Sequence, residues 1–125
     1  ILVVDDEVLV RLSIAEYLRD CGYRVLEAAH AAEAIHVLSS SEVVDLVFSD
    51  VQMPGSIDGF GLARWVRENR PGVKVILTSG YAKAAAEAHE LCDEGPIPKP
   101  YDHQLLVEKI RKHLGGRSNG NRAVC

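Results

Sequence analysis

Five short apolar runs, each followed by a stretch with helical spacing, constrain this chain more than any other feature it has. They fall at residues 1–4, 24–27, 46–50, 73–78 and 96–98. The third run sets the pattern. Leu46-Val47-Phe48 places three apolar residues in succession, as expected of a strand buried on both faces in a parallel sheet. It runs through Ser49 and Asp50 and is ended by the turn residues Pro54 and Gly55. Between the runs, Val8, Leu12, Ala15 and Leu18 predict a first helix, closed by Gly22. Ala31, Ala34, Ile35 and Leu38 predict a second, fading into Ser39-Ser40-Ser41. Leu62, Ala63 and Val66 predict a third, stopped by Pro71-Gly72. An alanine-rich fourth helix is expected at 82–92, with little to bury and hence the loosest packing. Leu106, Ile110 and Leu114 predict the fifth, ending at Gly115-Gly116. Alternation of this kind calls for an α/β fold: a doubly wound five-stranded parallel sheet, with five helices on its two faces joined by right-handed crossovers.

Two strands carry positional hints. The run at 24–27 is less apolar than the others, which suits a place near an edge. Pro96 and Pro98 are two apart, so their missing N–H groups lie on one side of the fifth strand, and that side must face no neighbour. The fifth strand is therefore expected at an edge. A chain of 125 residues makes one domain, expected to span 1–116 with a polar, disordered tail at 117–125.

Composition narrows the function. A net charge of −4 argues against a nucleic-acid surface. No apolar run approaches the ~20 residues that cross a bilayer, so no membrane insertion is expected. Cys21, Cys92 and Cys125 fit neither a disulfide framework nor a zinc pattern and read as reduced thiols of a cytoplasmic protein. The five histidines are scattered without metal-ligand spacing, and Phe60 and Trp65 read as packing residues of the third helix.

The chemistry lies at the predicted strand ends. Asp5-Asp6-Glu7 follows the first strand, Asp50 ends the third, Thr78 the fourth, and Lys99 follows the fifth. In open α/β sheets ligands bind at the carboxyl ends of the strands. Taken singly, each residue has an ordinary structural reading: Asp5 and Asp6 as acids at a helix start, Thr78 as a strand residue, Lys99 as a solvated charge. Taken together, they describe a pocket. Two unit charges ~4 Å apart at an effective dielectric of ~20 repel by about 4 kcal/mol, so converging carboxylates must take up protons or bind a cation. Oxygen-only ligands favour a hard ion such as Mg2+. Beside such an ion Asp50 can attack phosphorus and become an acyl phosphate, with Thr78 and Lys99 placed for the phosphoryl oxygens.

These residues carry a resemblance. Val3-Val4-Asp5-Asp6-Glu7, Ser49-Asp50-Val51-Gln52-Met53-Pro54 with Asp58-Gly59, Leu77-Thr78-Ser79-Gly80 and Lys99-Pro100-Tyr101 occur in the order and spacing of a receiver domain. The chain thus resembles the CheY-like phosphoacceptor module of bacterial two-component response regulators, from Ile1 to about Leu114. The resemblance implies a flavodoxin-like sheet ordered 2-1-3-4-5 and a cis bond between Lys99 and Pro100. It implies Asp50 as the phosphorylation site, with Asp5, Asp6, Asp50 and the main-chain carbonyl of Gln52 as Mg2+ ligands. Thr78 and Lys99 would engage the phosphoryl group. The donor would be a histidine kinase or a histidine phosphotransfer protein. The output would be a downstream protein met by the face of the fourth helix, fifth strand and fifth helix, or a homodimer. Such a module is a self-modifying acceptor and not an enzyme, unless it is part of a hybrid kinase. A stand-alone regulator, a segment of a longer regulator and the receiver of a hybrid sensor kinase all fit the residues present.

Two departures stand out. Pro96 occupies the position, three residues before the lysine, where many receivers carry an aromatic ring that swings inward on activation. Output is then expected through the loop and helix after Thr78, with Tyr81 or Tyr101 as reporters. The loop from Met53 to Gly59 also carries one extra residue, which lengthens it without touching the acids. Two other function classes fit less well. An aspartate-nucleophile phosphatase calls for a second acid two residues after the nucleophile, where this chain has Gln52. A flavodoxin-like cofactor carrier calls for a hydroxyl- and glycine-rich loop after the first strand, where this chain has acids that repel phosphate.

Overall fold

A computed structural model describes residues 1–53, 55–79, 97–98 and 102–114. Five strands form one sheet: β1 (Leu2–Val4), β2 (Leu26–Ala28), β3 (Leu46–Asp50), β4 (Lys74–Ser79) and β5 (Ile97–Pro98). All neighbours are parallel and the order is β2-β1-β3-β4-β5. Both edge positions agree with expectation: β5 lies outermost beside β4, and β2 outermost beside β1. The expected second strand is displaced toward its end, from 24–27 to Leu26–Ala28, because pairing begins at Leu2↔Leu26.

The sheet is apolar on both faces, and alternate residues serve opposite cores. Leu2, Val4, Val47, Val75 and Leu77 pack with helices α2 (Ala31–Leu38) and α3 (Gly59–Asn69). Val3, Leu46, Phe48 and Ile76 pack with α1 (Val8–Asp20) and the C-terminal helix (His103–His113). Phe60 is buried and Trp65 is partly buried on the first of these cores, as expected of packing residues. Helices on both faces make the fold doubly wound. Four helices occur among the described residues; the fourth one expected, at 82–92, lies outside them. So do Pro54, Gly80, Tyr81, Pro96, Lys99, Pro100, Tyr101, Gly115, Gly116, Cys92, Cys125 and the tail.

Local chemistry sets the helix ends. Asp58 accepts a hydrogen bond from the Gly61 N–H at the start of α3, and Asp102 one from the Gln104 N–H at the start of the C-terminal helix. At α2 the cap is His30, whose Nδ1 accepts from the Glu33 N–H, while Glu33 reaches back to the Ala29 N–H at 2.7 Å. Gly22 ends α1 with a φ of +96°; its N–H bonds to the Arg19 carbonyl and that of Tyr23 to the Leu18 carbonyl, the paired bonds of a Schellman motif.

Two expectations need correction. The buried stripe of α1 consists of Ile14, Ala15 and Leu18, whereas Val8 and Leu12 are half exposed. Val8 and Leu12 lie in the first half of α1, and the residues that reach the core come from its second half. Cys21, buried at the end of α1, is disulfide-bonded and is not a reduced thiol. Spacing along a chain does not report which sulfurs folding brings together.

Candidate functional site

The parallel pairing of β1 with β3 aligns Val4 with Ser49, so the acids that follow each strand emerge side by side. Asp5, Asp6 and Asp50 each present a carboxylate oxygen within 4.8 Å of the others. Asp5 and Asp50 are buried and Asp6 is exposed, which leaves the cluster open on one side. On the other flank of β3, Asp50 lies in register with Thr78 of β4. Thr78 is fully buried, and its carbonyl accepts the Val51 N–H at 2.9 Å. Non-local strand order thus brings together four of the residues singled out in the sequence, from three separate strand ends.

Their backbones are held tightly. The Asp5 carboxylate accepts the Glu7 N–H at 2.9 Å, and that of Asp50 accepts the Gln52 N–H at 3.1 Å. Each oxygen is thereby aimed by the turn that follows its own strand. Helix capping does not account for the first pair of acids. The N-cap of α1 is Glu7, and no side chain makes the capping bond there. Behind Asp50 the start of α3 closes in: the Gly59 N–H bonds to the Val51 carbonyl at 2.8 Å. A Cβ at Gly59 would overlap the Asp50 carbonyl oxygen and lie 2.6 Å from the Val51 Cα, so only glycine fits. Gly55, by contrast, meets open space and is required by its φ of +104° in the lengthened loop. Lys99 lies outside the described residues.

One residue of the site has no motif to announce it. The Arg11 side chain on α1 donates from Nη1 to the Asp5 carbonyl at 2.8 Å and from Nε to Glu27 of β2 at 3.2 Å. An arginine inside a helix otherwise reads as a solvated charge, and its only sequence signal is its place one and a half turns after the acids.

Three carboxylates crowded in this way suit a hard divalent cation, since they supply only anionic oxygen. Their place fits as well, at the carboxyl ends of the central strands. Fold and site together define the class: a doubly wound α/β domain with a cation-compatible acidic pocket at its sheet rim.

Comparison with known proteins narrows the class to a family. The model of the response regulator receiver domain matches residues 1–111. The sensor kinase CckA of Brucella abortus is 37% identical over 117 residues, covering 91% of this chain and 12% of that protein. Among solved structures, a CheY-like receiver domain protein from Methanospirillum hungatei superposes with a TM-score of 0.84 at 29% identity, covering 96% of each chain. The response regulator TrrA from Thermotoga maritima, solved in complex with Mg2+-BeF, gives a TM-score of 0.81 at 33% identity, covering 90% of this chain and 96% of that one. The chain belongs to the response regulator receiver domain family. It is a two-component receiver domain whose acidic pocket is formed by Asp5, Asp6 and Asp50. It spans 12% of the length of CckA and 23 to 24% of that of the NtrX-like regulators of Rickettsia, but 96% of the sporulation initiation phosphotransferase F of Bacillus subtilis. Among the described residues no helix is long and apolar enough to cross a membrane.

Proposed function

We propose that this domain accepts a phosphoryl group on Asp50 and switches a partner-binding surface in response. The observation that carries the reading is the convergence of three carboxylates within 4.8 Å, with Asp50 in register beside a buried Thr78. Asp5, Asp6 and Asp50, with the main-chain carbonyl of Gln52, would hold Mg2+. When bound, the ion offsets the charge that accumulates on the transferring phosphoryl oxygens. Asp50 supplies the nucleophile: one carboxylate oxygen attacks phosphorus, the bond from phosphorus to the donor's imidazole nitrogen breaks, and that nitrogen leaves with the electron pair. Thr78 hydrogen-bonds a phosphoryl oxygen and Lys99 pairs with the new charge.

The donor is a histidine kinase or a histidine phosphotransfer protein, a choice supported by family membership and by likeness to a sensor kinase. The added −1.5 to −2 charge, a typical value for about neutral pH, biases the domain toward whichever state pairs it better with Thr78 and Lys99. Because Pro96 offers no ring to swing, the response passes through the loop and helix after Thr78. It ends at a downstream protein on the face of that helix, the fifth strand and the last helix, or at a second copy. Residues 1–116 constitute the receiver, 117–125 a polar tail, and the setting is the cytoplasm. Incubation with acetyl phosphate and Mg2+ followed by intact mass measurement tests the assignment. The parent gains one phosphoryl group and Asp50→Asn gains none; an adduct that persists in the variant removes Asp50 from its role.

A further inference from the structure

We infer that Arg11 is a positioning residue for the cation site, acting through the main chain of Asp5; the role rests on the function proposed above. Three hydrogen bonds among the described residues help to hold Asp5. Its N–H donates to the Ala28 carbonyl at 3.1 Å, its carboxylate accepts the Glu7 N–H at 2.9 Å, and its carbonyl accepts Arg11 Nη1 at 2.8 Å. Of these three bonds, the one from Arg11 comes from a side chain. Its guanidinium is in turn fixed by Glu27, whose second oxygen pairs with Arg19 Nη2 at 3.3 Å, and Arg19 also bonds the Val25 carbonyl at 2.9 Å. The Arg11 side chain is 15% exposed against 48% for Arg19, so the first is a built-in strut and the second an outer brace. The strut spans from α1 across the end of β1 to β2 and clamps the peptide that carries Asp5, one of the two buried acids of the pocket.

Two effects of removing Arg11 oppose one another. Losing a positive charge near three carboxylates would strengthen cation binding, whereas losing the clamp would weaken it. Glu27 keeps Arg19 as a partner when Arg11 is lost, and the Arg11 bond to Asp5 ends on its carbonyl and not on its carboxylate. Removing Arg11 therefore leaves no unpaired acid beside the site and takes no counter-charge from a ligand oxygen. Mg2+ demands near-ideal placement of its oxygens, and groups that orient metal ligands commonly change affinity by about tenfold or more when lost. The clamp therefore dominates. Lysine keeps the charge but cannot span two acceptors with a fixed fork.

Calorimetric titration of the metal-free chain with MgCl2 tests the role, alongside thermal unfolding of each variant. Arg11→Gln is expected to weaken the Mg2+ dissociation constant by about tenfold, and Arg11→Lys to recover part of that loss. Arg19→Gln removes a partner of the same Glu27 without touching Asp5, so it lowers stability while leaving Mg2+ affinity within about twofold of the parent. An affinity for Arg11→Gln that is unchanged or tighter overturns the role, as does equal weakening by Arg19→Gln. If Arg11→Gln does not fold, Arg11→Lys decides: parent-like affinity overturns the role and weaker affinity supports it. A parent chain that takes up no Mg2+ overturns the proposed function itself, and the role with it.

Discussion

At Gly59 the site depends on an atom that is missing. The start of α3 is drawn against the end of β3 by the bond from the Gly59 N–H to the Val51 carbonyl, and no side chain fits between them. Gly59→Ala is therefore an overpacking substitution next to Asp50, expected to cost about 1–3 kcal/mol. A urea titration should show a lower midpoint with an unchanged slope. Because the displaced atoms belong to Asp50 and Val51, the rate of phosphorylation by acetyl phosphate should fall as well. Gly55→Ala is the contrasting case at this scale. Its Cβ meets nothing, so its penalty is confined to the backbone strain of a positive φ. In the sequence both glycines were legible as parts of a motif and a turn, but which of them excludes a methyl group was not. That depends on a neighbour eight or nine residues away that only folding brings into contact.

Among the elements, α1 departs furthest from its sequence pattern. Four apolar residues at helical spacing marked Val8, Leu12, Ala15 and Leu18 as one buried stripe, yet only the latter two are buried. Leu18 has no exposed surface and Leu12 is 46% exposed, so equal deletions should have unequal costs. Leu18→Ala is expected to destabilise by about 2–5 kcal/mol and Leu12→Ala by about 0.5 kcal/mol or less, as read from denaturation curves under one set of conditions. The strands were easier to read. A run buried on both faces needs no partner to be recognised, and β3 occupies the span its apolar residues indicated. For α1 the period showed which residues share a face, but how much of that face is covered was settled by tertiary packing, which buries Ile14, Ala15 and Leu18 and leaves Val8 and Leu12 half exposed.

The whole molecule places a group of like charges at the sheet rim, where a cation can relieve their repulsion. Magnesium at about 100 times its dissociation constant should add about 2.7 kcal/mol to stability, seen as a rise in Tm with concentration. Asp6→Asn removes one of the repelling charges together with a ligand. That variant should unfold at a higher temperature than the metal-free parent and gain little from the ion; equal gains in both would remove Asp6 from the site. Much of the described molecule was written in local patterns: five strands, the helices after the first three and the fifth of them, the acids and the hydroxyl at strand ends, and the edge place of β5 from two prolines. These are legible because period, turn chemistry and residue type act between near neighbours along the chain. That β1 lies beside β3 was implied by the family resemblance and by no local pattern; only the tertiary structure decided that an arginine of α1 braces the Asp5 peptide and that the front of α1 stays uncovered. Each of those depends on contacts between segments far apart in sequence, and no short-range pattern encodes a distance across the sheet.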